Sequence, residues 1–302
     1  MNNDKVVDSS AFGSDVARSR PQYWARRAAD LIVAGLRLNG GGFLSTEIVQ
    51  KISPVLKIPI RAGILKCRGG HGRLRWRMET FFTEEPETIR WLDSLTANDV
   101  LWDVGANVGL YGIYAALQAG CRVIAFEPEA QNFALLSENI LLNGVQERII
   151  ATNTPLTRAT GFGILHVRIL TKGGAYNQFA TGSGVEHTCE LKDKPAAIKQ
   201  LQMGFAIDDL LARHGFPFPS HIKIDVDGNE PDIVAGATAT LGDPRLKSVL
   251  IEIAPNDSAH RAILDMLRKM GFEIVSRRSN WDSRVDKTGQ TERPHENVIF
   301  RR

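Results

Sequence analysis

From Asp99 onward, short apolar runs alternate with segments whose apolar residues recur every three or four positions. "VLWDV", "RVIAFE", "ERIIATN", "HIKIDV" and "SVLIEI" are runs of strand length bounded by turn residues, and they read as strands. Between them the period is helical. "LYGIYAAL" is closed by Gly120. The next helix carries Phe133, Leu136 and Ile140 and ends at Asn143-Gly144. "FAIDDLLARHG" and a stretch from about Glu230 to Ala237 are further helices. "SAHRAILDMLRKMG" puts Ile263, Met266, Leu267 and Met270 on one face. "FEIVS" and "NVIFRR" form a closing pair of strands without a helix between them. Strands joined by helices predict a mostly parallel sheet covered on both faces, and the last pair predicts an antiparallel edge.

Upstream the pattern is less regular. Residues 22–38 read as a helix through Trp24, Ala28, Leu31, Leu36 and Leu38. "NGGGF" breaks it, and a short helix follows to about Val55. In "RLRWRM", Leu74, Trp76 and Met78 alternate with Arg73, Arg75 and Arg77, which predicts a half-buried strand. With "CRGGHG" as a turn, residues 62–80 form a hairpin. "EEPETIRWLDSL" starts a helix at Pro86, with Ile89, Leu92 and Leu95 facing inward. Between Thr154 and Gln202, "GILHVRIL" is a strand, and "TKGGAYNQFATGSG" is glycine-rich and polar.

The chain has 302 residues, 43% of them hydrophobic and 24% charged, which fits an ordinary globular protein with a sizeable core. Cys67, Cys121 and Cys189 are widely spaced. They form no CxxC pair and point to a reducing compartment rather than a zinc site. The N-terminus lacks a signal-peptide core, and "LIVAGL" is far shorter than the ~20 apolar residues a membrane span needs. A cytoplasmic location is expected. The net charge is only +3, yet Lys57, Arg61, Lys66, Arg68, Arg73 and Arg75 lie between Lys51 and Arg77 with no acid among them. Such a run is either a solvated face or a patch for an anionic partner.

The candidate chemistry sits at strand ends. "DVGANVG" follows the first core strand, where open parallel sheets bind ligands. Gly105 lets the backbone turn and approach a ligand, Gly109 lets the next helix pack close, and Asn107 tolerates unusual backbone angles. Glu127, at the end of the next strand, can accept both hydroxyls of a ribose. A dinucleotide site would want a second glycine at Asn107 and would not want Asp103 beside a pyrophosphate. S-adenosylmethionine (SAM) carries an ammonium and a sulfonium and no phosphate, so Asp103 attracts it. "IKIDVDGNEPDIVAGA" crowds Asp225, Asp227 and Glu230 around Gly228 at another strand end. The cluster can orient the cofactor's amino group, take a proton from an acceptor hydroxyl or hold a divalent metal. Asp227 or Asn229 can instead cap the following helix.

"VLWDVGANVGLYGIYAA", "AFEPEAQNFALLSENILLNG", "IDDLL" and "IKIDVDGNEPDIVAGA" together resemble the FkbM family of class I SAM-dependent methyltransferases. The resemblance covers residues 85–302, with a looser stretch at 154–202, and leaves residues 1–84 as an N-terminal helical and hairpin extension. It implies an α/β, Rossmann-like sheet of seven strands, SAM as methyl donor, O-methylation, and acceptors such as natural products and sugars. Position by position, it puts Asp103, Gly105, Asn107 and Gly109 at the methionine end, Glu127 at the ribose, Thr154 near adenine and Asp225 beside the methyl donor. The family often has Glu where this chain has Asp227. Asp225 and Asp227 are the candidate catalytic groups, with His221 a further candidate base. No resident metal and no nucleic-acid partner is expected. Tyr176, Asn177 and Gln178, flanked by Gly173, Gly174, Gly182 and Gly184, are a candidate lid over a small-molecule or glycan acceptor, anionic ones included. A Rossmann-type oxidoreductase and a SAM-fold binding protein without turnover are the alternatives.

Overall fold

The structure, a computed structural model, describes residues 54–69, 72–168, 170, 172–175, 177–181, 196–279 and 295–302, and a few positions between 27 and 35. The chain divides into two compact units, Met1–Ser53 and Pro54–Arg302. In the first, Arg27, Ala28, Leu31, Ile32, Ala34 and Gly35 are helical, as expected of residues 22–38. The rest of that helix, and the short helix expected to about Val55 as far as residue 53, lie outside the described residues; Val55 itself begins a strand.

The second unit opens with a hairpin, but an earlier one than the alternation predicts. Strands β1 (Val55–Ile60) and β2 (Gly63–Arg68) pair antiparallel. "RLRWRM" is not a strand. It lies in helix α1 (Gly72–Glu79). Leu74 and Met78 are buried and Trp76 is 37% exposed, so burial follows a spacing of four rather than two. Phe81, seven residues beyond Leu74, joins them, and Arg75 pairs with Glu79 one turn on. The strand reading took charges on every other residue for a face. The buried set has the helical period. Helix α2 (Pro86–Asp93) begins at its proline, as expected.

The regular region is as the pattern predicts. It contains β3 (Val100–Val104), α3 (Leu110–Gln118), β4 (Arg122–Phe126), α4 (Ala130–Asn143) and β5 (Ile149–Thr152). After the intervening segment come α5 (Ile207–His214), β9 (His221–Ile224), α6 (Glu230–Ala235), α7 (Thr238–Gly242), β10 (Ser248–Ile253), α8 (Ser258–Lys269), β11 (Glu273–Ser279) and β12 (Glu296–Arg301). Gly144, at φ 67°, closes α4. Glu129 and Asp257 cap the starts of α4 and α8 with carboxylate–amide bonds. Among the described residues, seven strands form one sheet in the order β11-β12-β10-β9-β3-β4-β5. β10, β9, β3, β4 and β5 run parallel, and β12 is antiparallel to both its neighbours. Alternate residues feed two cores. Leu101, Ile113, Val123 and Leu135 lie on one face, with Leu65 and Cys67 of the hairpin. Trp102, Phe126, Ile222, Ile224 and Phe300 lie on the other.

The intervening segment holds a second sheet, β7-β6-β8, made of β6 (Gly161–Val167), β7 (Gln178–Thr181) and β8 (Ile198–Gly204). Strand β8 has no counterpart in the sequence pattern. Its "IKQLQMG" is mostly exposed, with Leu201 67% open, so burial wrote no apolar period into it.

Candidate active site

The chain leaves β3 for β4 and β5 on one side, then returns to β9 and β10 on the other. The switch point therefore falls between β3 and β9, and the loops after both strands meet there. Gly105 turns at φ +83° in that contact. A Cβ on it would stand 1.9 Å from the Asp225 carbonyl oxygen, so no side chain fits. Gly109, at φ +88°, lies under Leu136, whose Cδ1 would be 2.4 Å from an added Cβ. Asn107 and Asp227 are the non-glycine residues with positive φ among those described, one in each loop.

Glu127 stands just past β4 and is buried. One oxygen accepts the Asn107 amide at 2.7 Å and the other the Glu129 amide at 2.9 Å, which locks the β3 loop to the end of β4. Burial nevertheless pushes its carboxyl up to about 7. Thr154 lies just past β5 and receives the Thr152 hydroxyl at 2.7 Å. Asp103 is buried beneath the first turn of α3. Neither of its oxygens has a hydrogen-bond partner among the described residues, and burial pushes its carboxyl up against the opposing pull of Lys223. Asp103, Gly105, Asn107, Gly109, Glu127, Thr154, Asp225 and Asp227 thus gather along the carboxyl ends of four adjacent strands.

Lys223 was not among the sequence candidates. It is fully buried in β9, opposite Asp103 in the sheet register, and its ammonium lies 2.7 Å from Asp225. Burial acts to raise the Asp225 carboxyl. The Lys223 charge outweighs burial and holds it below the usual carboxylate range. Around this pair lie Tyr111, whose ring is 5.2 Å from the ammonium, and Glu85, raised by burial and by the Asp225 charge. Glu230, next in the cluster, is pushed up to about 8 by burial and then by Glu252. One of its oxygens accepts the Val226 amide. The sequence did carry a sign of Lys223: a lone cation between Ile222 and Ile224 in a strand flanked on both sides. His221 does not belong here. It begins β9 at the opposite end of the sheet, where it bonds the Ser248 hydroxyl and lies 3.3 Å from Asp99.

A strap crosses the two loops. The Asn107 side chain donates to the Gly174 carbonyl at 2.7 Å. Asn132 accepts the Gly173 amide and donates to the same carbonyl. Farther on, Phe179 and Asn229 exchange two hydrogen bonds, and Gln178 donates to the Asp227 carbonyl. Asn177 Oδ1 is buried with no partner among the described residues. Tyr176, Gly182 and Gly184 of the expected lid lie outside them.

A parallel sheet with an antiparallel last strand, a glycine loop after its first core strand and a carboxylate after its second is the architecture of a class I methyltransferase. Comparison with known proteins makes this specific. The profile described as Methyltransferase FkbM domain matches residues 103–274. The chain belongs to that family and is a SAM-dependent methyltransferase. It is 26% identical over 243 residues to the 31-O-demethyl-FK506 methyltransferase FkbM of Streptomyces tacrolimicus, covering 76% of this chain and 92% of that one. It is also 26% identical over 178 residues to the hexuronic acid methyltransferase AglP of Haloferax volcanii, covering 59% of this chain and 65% of that protein. Among solved structures, a precorrin-6y C5,15-methyltransferase from Geobacter metallireducens aligns with a TM-score of 0.41 at 14% identity, over 72% of this chain and 87% of that one.

Proposed function

We propose that this methyltransferase methylates a hydroxyl oxygen of a small molecule or sugar, with SAM held across the ends of β3, β4 and β5. The observation that carries this reading is the contact of Gly105 with Asp225. It brings the glycine loop against the β9 loop with the carboxylates of Asp103, Glu127 and Asp225 close by, which suits a cationic, phosphate-free nucleoside. Asp103, Gly105, Asn107 and Gly109 would hold the methionine end, Glu127 the ribose and Thr154 the adenine edge. SAM supplies an activated methyl carbon on a sulfonium. The chain's own residues supply alignment and exclusion of water, from which much of the acceleration in a displacement reaction comes. Asp225 and Asp227 stand where an acceptor would approach. Asp225, kept ionised by Lys223, serves best as a fixed negative charge facing the cofactor's cationic end. The described residues of the strap, 173–175 and 177–181, are bonded to both loops and act as the lid. Relatives named for O-demethyl-FK506 and for hexuronic acid support oxygen as the target atom and a polyoxygenated acceptor.

The direct test incubates the protein with isotope-labelled SAM and a metabolite extract, then finds the molecule that gains the label by mass spectrometry. Labelling on carbon or nitrogen in place of oxygen would overturn the reading. For the cofactor assignment, Glu127→Ala is expected to weaken SAM binding in calorimetry by roughly 1–3 kcal/mol, the scale of a lost charged hydrogen bond.

A further inference from the structure

At the edge of the same site, the end of β10 carries Glu252. The register pair Ile224–Ile251 sets Glu252 beside Asp225. Strand β12 runs antiparallel to β10, so its first residues stand over this rim. His295, immediately before β12, places Nδ1 3.2 Å from Glu252 Oε2. With Nδ1 donating to the carboxylate, the neutral ring keeps its lone pair on Nε2. No described residue is bonded to Nε2. The imidazole is about one-third open, at 36% exposure, against 18% for Glu252. The other charged groups whose fields reach it are Asp225 and Asp227 after β9, Glu230 on α6 and His260 on α8.

We propose that His295, set by Glu252, is the group that takes the proton from the acceptor hydroxyl. The proposal rests on the O-methylation reading above. The hydroxyl proton passes to Nε2 as an oxygen lone pair forms the bond to the methyl carbon. The carbon–sulfur bond breaks with its electron pair going to sulfur, and the imidazolium then returns its proton to water through its exposed edge. Two neighbouring acids are poorer candidates. Asp225 is bound to Lys223, and Glu230 is buried with an oxygen already committed to Val226. Glu252 is the positioning residue. Its hydrogen bond, and the surrounding negative charge, shift His295 above the ordinary histidine range.

The test is nitrogen NMR of the imidazoles, with His295 assigned by its loss in His295→Gln. In the free protein, the neutral form is expected to be protonated on Nδ1, and Glu252→Gln is expected to lower the titration midpoint. The midpoint is then measured with two bound analogues, S-adenosylhomocysteine, a neutral thioether, and sinefungin, which places an ammonium where the sulfonium would be. A cation facing Nε2 disfavours the imidazolium, so the midpoint is expected to fall by about half a pH unit or more with sinefungin relative to the thioether. Equal midpoints, with both analogues shown bound by calorimetry, would overturn the proposal. If neither analogue binds, the cofactor reading fails first and takes the proposal with it.

Discussion

Gly105 is where one missing methyl group decides whether the site exists. At φ +83°, with the Asp225 carbonyl 1.9 Å from any added Cβ, Gly105→Ala must part β3 from β9 or distort the loop. The expected result is a lower melting temperature, equivalent to roughly 1–3 kcal/mol or more, together with lost binding of S-adenosylhomocysteine in calorimetry. Glu230 makes the opposite kind of prediction. Its folded pKa, about 8, lies above the unfolded value, so the folded chain holds a proton that the unfolded chain releases. Stability therefore falls as pH rises between about 4.5 and 8. Glu230→Gln keeps an oxygen for the Val226 amide and removes the charge. It is expected to raise stability by roughly 2–4 kcal/mol at pH 8 and to change little at pH 4.5. Thermal melts at the two pH values check this. At this scale the sequence was partly legible. Glycines and acids at strand ends announce themselves by type and place. His295 did not, because its significance comes from Glu252, distant in the chain, and Lys223 showed only as a lone cation in an apolar strand.

Among the elements, β9 bears the heaviest electrostatic demand. It threads a fully buried ammonium between β3 and β10, and that ammonium is tolerable because Asp225, Asp103 and Glu85 surround it. Lys223→Met removes the cation and strands the acids. The expectation is a loss of roughly 3–5 kcal/mol in denaturant unfolding at neutral pH. Raising the acidity should recover part of the loss, as Asp225 protonates. The elements easiest to read from sequence were those whose apolar period a core enforces, from β3 through α4 and from α5 to β12. The errors fell where that enforcement is weak. In α1 and the turn after it, alternating arginines mimic a strand while Leu74, Met78 and Phe81 keep the helical count. In β8, an exposed edge leaves nothing periodic to see.

Across the whole molecule, the two ends of the sheet serve different purposes. The carboxyl ends gather the chemistry. The opposite ends are tied by Asp99, which accepts from Lys247, Thr96 and Ser220 and lies near His221, joining β3, β9 and β10. Burial acts to raise the Asp99 carboxyl, but these donors outweigh it and hold it well below its ordinary range. Its contribution is therefore complete above about pH 4 and is lost as pH falls toward the lowered folded value. Acid unfolding followed by circular dichroism is expected to be steeper in the native chain than in Asp99→Asn. Topology was readable at this scale because alternating strands and helices leave few arrangements, and the switch point follows from them. The acceptor was not readable, since no run of residues in the sequence carries its chemistry.

That strap has a kinetic corollary. The Phe179–Asn229 pair fastens it to the loop bearing Asp227, Asn107 fastens its other end to the glycine loop, and Asn132 fastens that end to α4. Under the lid proposed above, entry and release would wait on one fastening letting go, and that opening rate would set a ceiling on turnover.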